Sequence, residues 1–373
     1  MTRSHPRLPD AMLNRCMFKP VPWRESPPMK KAVLLINALS ANPSGDELDV
    51  MVQSAAVEGA LDFMGWQHRR VFCDLNLELM LDNLEQDPPD LVFNLVESLG
   101  SKGALIHLPA WLLETFRIPF TGSPARTLVI TTDKIWTKRI LRERGIPTPD
   151  WFPLQDSRNR IVSGSRAGTG EKVVTGRDDT VPDRSKNYIL KPILEDGSAG
   201  ITDESLVDGG SIASGVLLPN HGDHFLEEYI DGREFNITLL ESREGVQVMP
   251  PAEMHFVDYP ESKPRILNFA SKWEPDSFEY EKTIRSFDLP AEDTGLTRLM
   301  SDISMNCWEI FGLKGYARVD FRVDGHGDPY VLEVNANPCI SPDAGFTAAC
   351  ARGGMNYIAM IERIMQAATI QFQ

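Results

Sequence analysis

A continuous apolar run, Lys31–Asn37 (KAVLLIN), is the sequence feature that most constrains the fold. Such a run is typical of a strand buried on both faces of a parallel sheet. The neighbouring elements predicted from the sequence are helices over 47–64 and 104–116 and strands over 67–72 and 90–94. Strands that alternate with helices predict a doubly wound parallel α/β domain. Ligands bind such domains at the carboxyl ends of the strands, here residues 37–40 and 94–97.

Charge and cysteine content narrow the class of protein. The formal net charge is -15 over 373 residues, which argues against a nucleic-acid partner because such binding needs clustered Lys and Arg. The five cysteines include no C-x-x-C pair, so we expect a reducing, cytoplasmic location and no zinc site. No apolar run approaches the ~18 residues of a membrane span, so no membrane partner is expected. Residues 1–28 are predicted to form a flexible arm.

The rest of the chain predicts further helices and a set of paired strands. A helix carrying Asp133 and Lys134 is expected to end at Gly145. Residues 156–187 are rich in Gly, Ser, Arg, Asp and Thr, which predicts a long surface loop or hairpin insertion. Strands are predicted over residues 188–191, 225–230, 235–240, 316–323 and 330–335.

Four polar residues on the last two predicted strands form the most specific pattern. Arg318 and Asp320 are two residues apart, as are Glu333 and Asn335, so each pair shares one face of its strand. Antiparallel pairing would bring three oxygen ligands, from Asp320, Glu333 and Asn335, around one point. Such ligands suit Mg²⁺ ions that bridge phosphates. The alternative is a structural salt bridge of Arg318 with Asp320 or Glu333, since charged pairs across strands are common.

Two weaker patterns point to a nucleotide. Lys191 ends an apolar strand, where a compact positive charge suits a triphosphate oxygen. The small residues of the following loop, including Ser198, would let backbone N–H groups approach phosphates. A strand with free backbone at 227–230 can hydrogen-bond an adenine edge, and Glu234 can hold ribose hydroxyls. Each pattern in isolation is also compatible with an ordinary turn or an acidic strand.

Taken together and in order, these motifs resemble the ATP-grasp domain of the D-alanine–D-alanine ligases. The matching segments are Asp133-Lys134 with Thr137-Lys138, Leu190-Lys191-Pro192, residues 197–201 (GSAGI), 227–230 (EEYI), 232–234 (GRE), 315–321 (GYARVDF) and 332–335 (LEVN). The resemblance covers about residues 90 to 345 and includes the "FN-x-x-E" segment that ends at Glu97. It implies a three-domain ATP-grasp architecture that is α/β at the amino terminus and α+β in the ATP-grasp part. The expected domains are residues 29–124, 125–230 and 231–373.

The resemblance also implies roles for individual residues. Arg318 would stabilise the acyl phosphate and the tetrahedral intermediate, and Lys272 would reach the site from a mobile loop, within a lid over residues 265–273. The residues that would bind ATP are Lys134, Lys191, Ser198, Glu227, Glu228, Ile230, Glu234 and Lys272. Two Mg²⁺ ions, or Mn²⁺ in their place, would be bound by Asp320, Glu333 and Asn335. The family also implies a homodimer.

The region that would bind the amino acids departs from the family pattern. The "GG-x-S-x-E" signature after the first strand is absent, although Glu47 lies nearby at a different spacing. Glu97 is a candidate substrate contact, or a residue that stabilises its loop. Cys339 replaces a glycine whose N–H serves the oxyanion, and it is interpreted as a packing residue. Ala344 stands where the ligases have a serine that binds the second D-alanine.

These features predict an ATP-dependent ligase that joins a carboxylate to an amine of an amino acid or small peptide. The reaction would pass through an acyl phosphate and release ADP and phosphate. Three alternatives stay open at this point. They are a true D-alanine–D-alanine ligase, an ATP-grasp kinase, and a non-catalytic ATP-binding protein. Arg318 favours a ligase over a kinase, because a kinase has no tetrahedral intermediate to stabilise.

Overall fold

A computed structural model describes residues 31–154, 182–213 and 224–371. The predicted arm over residues 1–28 and most of the predicted insertion over 156–187 lie outside the described residues. The described residues form three β-sheets with helices packed against them. None of the helices in this part of the chain is long and apolar enough to cross a membrane.

The amino-terminal elements form a parallel sheet, as the apolar run predicts. They are β1 (Lys31–Asn37), α1 (Gly45–Phe63), β2 (Gln67–Cys73), α2 (Leu77–Gln86), β3 (Leu91–Asn94) and α3 (His107–Thr115), with strand order β2-β1-β3. Alternate residues of β1 enter different buried clusters. Leu35 shares one cluster with Met80 of α2, and Leu34 shares the other with Val57 of α1. Helices therefore cover both faces of the sheet, which confirms the doubly wound prediction.

The prediction of a single helix through Asp133 and Lys134 is wrong, because the structure has two helices there. They are α4 (Ala125–Thr132) and α5 (Lys134–Glu143). Asp133 lies between them, and its carboxylate accepts a hydrogen bond from the Trp136 N–H at 2.8 Å. An aspartate in this position satisfies a donor that the first turn of a helix leaves free. The sequence pattern missed the break because no glycine or proline interrupts residues 125–143 to mark it.

Two antiparallel sheets follow, and they confirm the α+β expectation for this part of the chain. The remaining elements in chain order are β4 (Trp151–Pro153), β5 (Asn187–Pro192), β6 (Leu206–Asp208), α6 (Gly209–Ala213), β7 (His224–Glu228), β8 (Arg233–Ser242), β9 (Gly245–Val248), β10 (Ala252–Phe256), α7 (Ala270–Trp273), α8 (Phe278–Lys282), β11 (Thr283–Ser286), α9 (Thr294–Phe311), β12 (Tyr316–Val323), β13 (Pro329–Asn335), α10 (Gly345–Arg352) and α11 (Tyr357–Gln371). The smaller sheet has the order β4-β7-β5-β6. The larger has β11-β10-β8-β12-β13, with β9 paired to β8.

A turn at Gly232 carries the chain from the smaller antiparallel sheet to the larger one. The φ angle of Gly232 is +147°, and a Cβ added there would lie 2.1 Å from the Val323 carbonyl oxygen. Only glycine allows backbones to approach so closely. The Gly232 carbonyl also accepts a hydrogen bond from Arg322 Nη1 at 3.0 Å. This close approach fixes the start of β8 against the end of β12, where Arg233 pairs with Val323.

The last described helix, α11, packs against the amino-terminal sheet. Met360, Ile361 and Ile364 belong to the same buried cluster as Leu34 and Ile36 of β1. The described chain thus returns to its first strand, and part of the predicted domain 231–373 completes the core of the predicted domain 29–124. The domain boundaries at 124 and 230 stay predictions.

Candidate active site

The strands β12 and β13 pair antiparallel, as the sequence predicts. Arg318 lies opposite Asn335 and Asp320 opposite Glu333, with a bulge after Asp320. The Arg318 guanidinium donates two hydrogen bonds to Asp320, Nε to Oδ1 at 2.7 Å and Nη2 to Oδ2 at 2.8 Å. Burial opposes the charge of Arg318, but the Asp320 carboxylate outweighs it and raises the arginine's pKa. The salt bridge considered above therefore exists, and it lies inside the site.

The oxygen atoms on this strand pair suit a hard cation. Asp320 Oδ1 also accepts a hydrogen bond from the Asn236 amide at 2.8 Å, which orients the carboxylate. No group of three or more His, Cys, Asp or Glu side chains in the described part of the chain could hold a metal ion. Two carboxylates and an amide are nevertheless sufficient for Mg²⁺, which keeps several waters and takes further ligands from substrate phosphates.

A narrow cleft of about 80 Å³ lies between the two antiparallel sheets. The residues predicted to bind ATP all line it, together with two of the predicted metal ligands; they are Lys134, Lys191, Ser198, Glu227, Glu228, Ile230, Glu234, Lys272, Asp320 and Glu333. The structure therefore brings these ten residues together from elements far apart in the sequence. At its wall, Arg322 Nε lies 3.2 Å from Glu234 Oε2. Burial raises the pKa of Glu234, and the Arg322 charge offsets part of the effect.

Lys134 is buried at this cleft with its charge paired. Its ammonium donates to Asp196 Oδ1 at 2.9 Å and lies 4.0 Å from Glu333 Oε1. Burial disfavours the charged form, but these two carboxylates outweigh burial and raise the pKa of Lys134. The lysine is therefore a fixed positive charge beside the predicted metal ligands.

Glu227 is held by two lysines, one of which sequence reasoning assigned no role. Lys138 Nζ lies 2.5 Å from Glu227 Oε2, and Lys191 Nζ donates to Glu227 Oε1. Lys138 is fully buried, which lowers its pKa to about 8 despite the attraction of Glu227. The available signal was spacing, because Lys138 follows Lys134 by four residues and lies on the same face of α5. The Glu227 side chain is therefore engaged by charge, while its backbone lies within the smaller sheet, opposite Trp151 of β4 and Ile189 of β5.

The predicted lid segment contacts the glycine-containing loop at 196–200. The indole Nε1 of Trp273 donates to the Gly197 carbonyl oxygen at 2.9 Å. The Ser198 hydroxyl donates to the Leu267 carbonyl at 2.7 Å, so this side chain binds the lid segment. Burial lowers the pKa of Lys272, and the nearby charge of Arg318 lowers it further. Closure of residues 265–273 over a substrate stays a prediction.

A second, larger cavity of about 1000 Å³ adjoins the cleft. Asn37, Ser40 and Glu97 line it, so a cavity lies at the predicted strand ends. That a ligand binds there stays a prediction. From the other side come Arg318, Asn335 and Cys339. The Glu47 carboxylate also lines it, and accepts hydrogen bonds from Ser40 Oγ at 2.6 Å and Ser101 Oγ at 2.9 Å.

Glu97 and Cys339 belong to one hydrogen-bonded network at the inner end of this cavity. Gln53 Nε2 donates to Glu97 Oε1 at 2.6 Å and to Asp49 Oδ2 at 3.2 Å. The Cys339 thiol donates to Asp49 Oδ2 at 2.9 Å. Burial raises the pKa of Glu97 to about 8, and the charges of Asp49 and Asp46 add to the shift. Burial also raises the pKa of Cys339, which supports its interpretation as a thiol that packs and donates.

Known proteins provide an independent comparison of the whole arrangement. The family model described as "D-ala D-ala ligase C-terminus" matches residues 183–366. A solved D-alanine–D-alanine ligase from Bacillus anthracis, complexed with ATP, superposes with a TM-score of 0.66 at 21% identity, covering 92% of this chain and 98% of that one. The ligase from Coxiella burnetii gives 0.61 at 16% identity, covering 92% and 96%. The fold is therefore that of the ATP-grasp ligases.

Sequence relatives agree with the structural likeness. A D-alanine–D-alanine ligase of Synechococcus sp. (strain JA-3-3Ab) is 27% identical over 337 residues, which is 88% of this chain and 91% of that protein. An uncharacterized protein of Sinorhizobium fredii is 29% identical over 312 residues, 81% of this chain and 83% of that protein. The chain is thus similar in sequence to D-alanine–D-alanine ligases along most of its length, and its residues 183–366 match the carboxyl-terminal model of that family.

Proposed function

We propose that this protein is an ATP-dependent ligase that joins the carboxylate of one amino acid or small peptide to the amine of another. The products are the amide, ADP and phosphate. The observation that carries the proposal is the position of Lys272 and Glu333, which line both the narrow cleft and the larger cavity. A phosphate bound in the cleft and a carboxylate bound in the cavity would meet at these two residues.

The first step is phosphoryl transfer. An oxygen of the substrate carboxylate attacks the γ-phosphorus of ATP, the bond to the β-phosphate oxygen breaks, and an acyl phosphate and ADP result. Such a transfer depends on positioning and on neutralising charge. Lys134, Lys191 and Lys272 would supply the positive charge. Asp320, Glu333 and Asn335 would hold Mg²⁺, which when bound would neutralise phosphate charge.

The second step forms the amide. The amine nitrogen of the acceptor attacks the carbonyl carbon of the acyl phosphate and loses a proton, and inorganic phosphate leaves. Negative charge develops on the carbonyl oxygen. Arg318, whose guanidinium is fixed by two hydrogen bonds to Asp320, would stabilise that oxyanion. Closure of residues 265–273 would keep water from the acyl phosphate.

The cleft supports ATP binding only after a movement. Its volume of about 80 Å³ is small beside the ~300–1,000 Å³ of ordinary ligand pockets. We infer that the two antiparallel sheets move apart to admit the nucleotide and that the adenine lies against the backbone of residues 227–230. The ribose would then reach Glu234.

The inner end of the larger cavity supports an amino-acid or peptide substrate. Glu47 and Glu97 supply carboxyl groups there, and Cys339 shapes the wall between them and Arg318. A neutral amine or an ammonium group can hydrogen-bond such groups. The four cysteines in the described part of the chain are all free, which supports the prediction of a cytoplasmic protein. A homodimer is expected from the family alone.

A screen of amino acids and dipeptides of both chiralities, with ATP and Mg²⁺, tests the proposal. Phosphate release and product mass are measured together. We expect an amide mass with ADP, and its loss in Asp320→Asn and Glu333→Gln. Asp302→Asn, which changes an exposed aspartate of α9, is the matched control and should stay active. A phosphorylated product without amide would identify a kinase, and ATP binding without any product would contradict the ligase assignment.

A further inference from the structure

Arg285 is a basic residue at the larger cavity that the proposed mechanism does not use. It lies on β11, the edge strand of the larger antiparallel sheet, opposite Met254 of β10. A Cβ built on Gly345 would lie 3.6 Å from Arg285 Nε and 3.7 Å from Nη2. The guanidinium therefore lies beside the first residue of α10, where Asp343 and Ala344 also line the cavity.

The hydrogen bonds of this guanidinium are incomplete. Its Nη1 donates to the Asp343 carbonyl oxygen at 3.3 Å. Its Nε is buried and has no hydrogen-bond partner among the residues that the structure describes. A guanidinium has five N–H donors arranged to bind a carboxylate through two parallel bonds. A buried donor without a partner is costly, and each such group in a folded protein calls for an explanation.

The charges around Arg285 favour the binding of an anion beside its guanidinium. Burial lowers its pKa, and the positive charge of Arg318 lowers it further, while the nearby Asp343 opposes both effects. Two arginines thus face one cavity. Arg318 already makes two hydrogen bonds to the Asp320 carboxylate, whereas the described hydrogen bond of Arg285 goes to a backbone carbonyl. An added carboxylate would complete the bonds of Arg285 and reduce the repulsion between the two cations.

We propose that Arg285 binds the carboxylate of the acceptor, so that this ligase selects an amine that also carries a free carboxylate, such as an amino acid or a peptide with a free carboxyl terminus. This inference rests on the proposed function. The side chain of Ala344 is a methyl group and cannot hydrogen-bond, and α10 has no side-chain cap at its start. Arg285 supplies the charge at this end of the cavity from a different element, strand β11.

The test compares an acceptor with its own carboxamide. The acceptor is one that yields an amide in the screen, and its carboxamide keeps the shape but removes the negative charge. We expect wild-type kcat/KM to favour the free acid by about 100-fold, since truncating one partner of a buried charge pair commonly has effects of this size. In Arg285→Gln the preference should fall below about 3-fold through a higher KM for the acceptor. The KM for ATP should not change.

Two further variants separate binding from folding. Arg285→Lys keeps the charge but loses the two-pronged geometry, so it should recover part of the preference. Arg352→Gln removes an exposed arginine from the other end of α10, where it pairs with Asp288 at 2.9 Å. That variant should match the wild type. If Arg285→Gln keeps the full preference for the free acid, or raises the KM for ATP and for the acceptor equally, the proposal is wrong.

A titration without turnover makes the result independent of the ligase assignment. The screened amino acids and their carboxamides are titrated into the ADP-bound wild type and the ADP-bound Arg285→Gln protein. Tighter binding of the free acid that disappears in the variant supports the role of Arg285. Equal binding of acid and amide by the wild type overturns it. If no amide forms in the screen, the proposed function fails, and this titration still decides whether Arg285 binds a carboxylate.

Discussion

The Lys138 ammonium lies 2.5 Å from Glu227 Oε2, and neither side chain is exposed by more than 1%. Two opposite charges are thus buried together beside the narrow cleft, which Glu227 lines. Replacing such a pair can be neutral, but removing one partner leaves the other charge buried without full compensation. The charge of Glu227, which also binds Lys191, is therefore compensated in part by the buried Lys138 ammonium.

Lys138→Met should lower the free energy of unfolding by about 3–5 kcal/mol, the usual cost of breaking a buried ion pair. Adding Glu227→Gln to the same chain should recover part of this loss, because the orphaned charge is then removed. Lys186→Met is the matched control, since Lys186 pairs with Glu228 of the same strand but is 44% exposed. Lys186→Met should lower the free energy of unfolding by less than about 1 kcal/mol. Urea unfolding monitored by tryptophan fluorescence measures all three, and equal losses would contradict the prediction.

Glu97 should make the protein less stable as the pH rises. Its pKa is raised from 4.5 in the unfolded chain to about 8 in the folded protein. The folded state therefore binds the Glu97 proton more tightly than the unfolded chain does. The resulting contribution of Glu97 to the free energy of unfolding is complete below pH 4.5 and is lost as the pH rises through about 8. We expect the wild type to lose stability relative to Glu97→Gln across this window. The groups that face the carboxyl are Gln53, Asp49, Asp46 and Asp196.

The measurement is the difference in unfolding free energy between wild type and Glu97→Gln from pH 5 to 9. Glu85→Gln, which changes an exposed glutamate at the end of α2, provides the comparison. A difference curve for Glu97→Gln that is flat, or that slopes the other way, would show that the carboxyl is not protonated in the folded protein near neutral pH.

Arg318→Lys should slow amide formation by about 10²–10³-fold in kcat, the usual effect of losing a donor to an oxyanion. A lysine keeps the charge but cannot reproduce the paired bonds to Asp320. The KM for ATP should change little, because the arginine lines the larger cavity and not the cleft. Arg298→Lys on the exposed side of α9 is the control. Rapid-quench detection of ADP and amide measures both steps, and an unchanged kcat would remove Arg318 from the mechanism.

Gly232→Ala should destabilise the protein by more than about 2 kcal/mol, since the new methyl would meet the Val323 carbonyl in a conformation that L-residues avoid. Gly59→Ala is the matched control within α1, where an added Cβ has nothing within 4 Å. Gly59→Ala should raise the free energy of unfolding by about 0.5–1 kcal/mol. Thermal unfolding of both variants measures the contrast. Similar melting temperatures would mean that the start of β8 and the end of β12 can move apart at Gly232 without loss of stability.

Local sequence patterns were sufficient for the parts of the fold that depend on periodicity. The apolar run of β1 and the two-residue spacing of Arg318 and Asp320 each predict a strand and a face, and the structure confirms both. The break at Asp133 was missed because an N-cap aspartate inside a continuous amphipathic pattern resembles an ordinary helical residue.

Contacts between distant segments could not be predicted from the sequence. The carboxylates of Asp49 and Glu97 meet through Gln53, and Arg285 reaches Gly345 across 60 positions of the chain. No spacing rule connects such residues, because their proximity results from the packing of α1, β11 and α10. The resemblance to the ligases supplied the predicted ATP-binding residues. It included Lys138 in a matching segment without a role and did not include Arg285, and the interactions of both are visible only in three dimensions.

The packing of α11 on β1 affects how the chain folds during its synthesis. Leu34 and Ile36 are among the first described residues to leave the ribosome, and Met360 and Ile364 are among the last, yet they share one buried cluster. The part of this sheet face that α1 leaves uncovered therefore stays exposed until α11 is synthesised. Long-range closure of this kind slows folding and leaves emerging strands prone to aggregation. The two ends of the described chain should acquire protection from hydrogen exchange together.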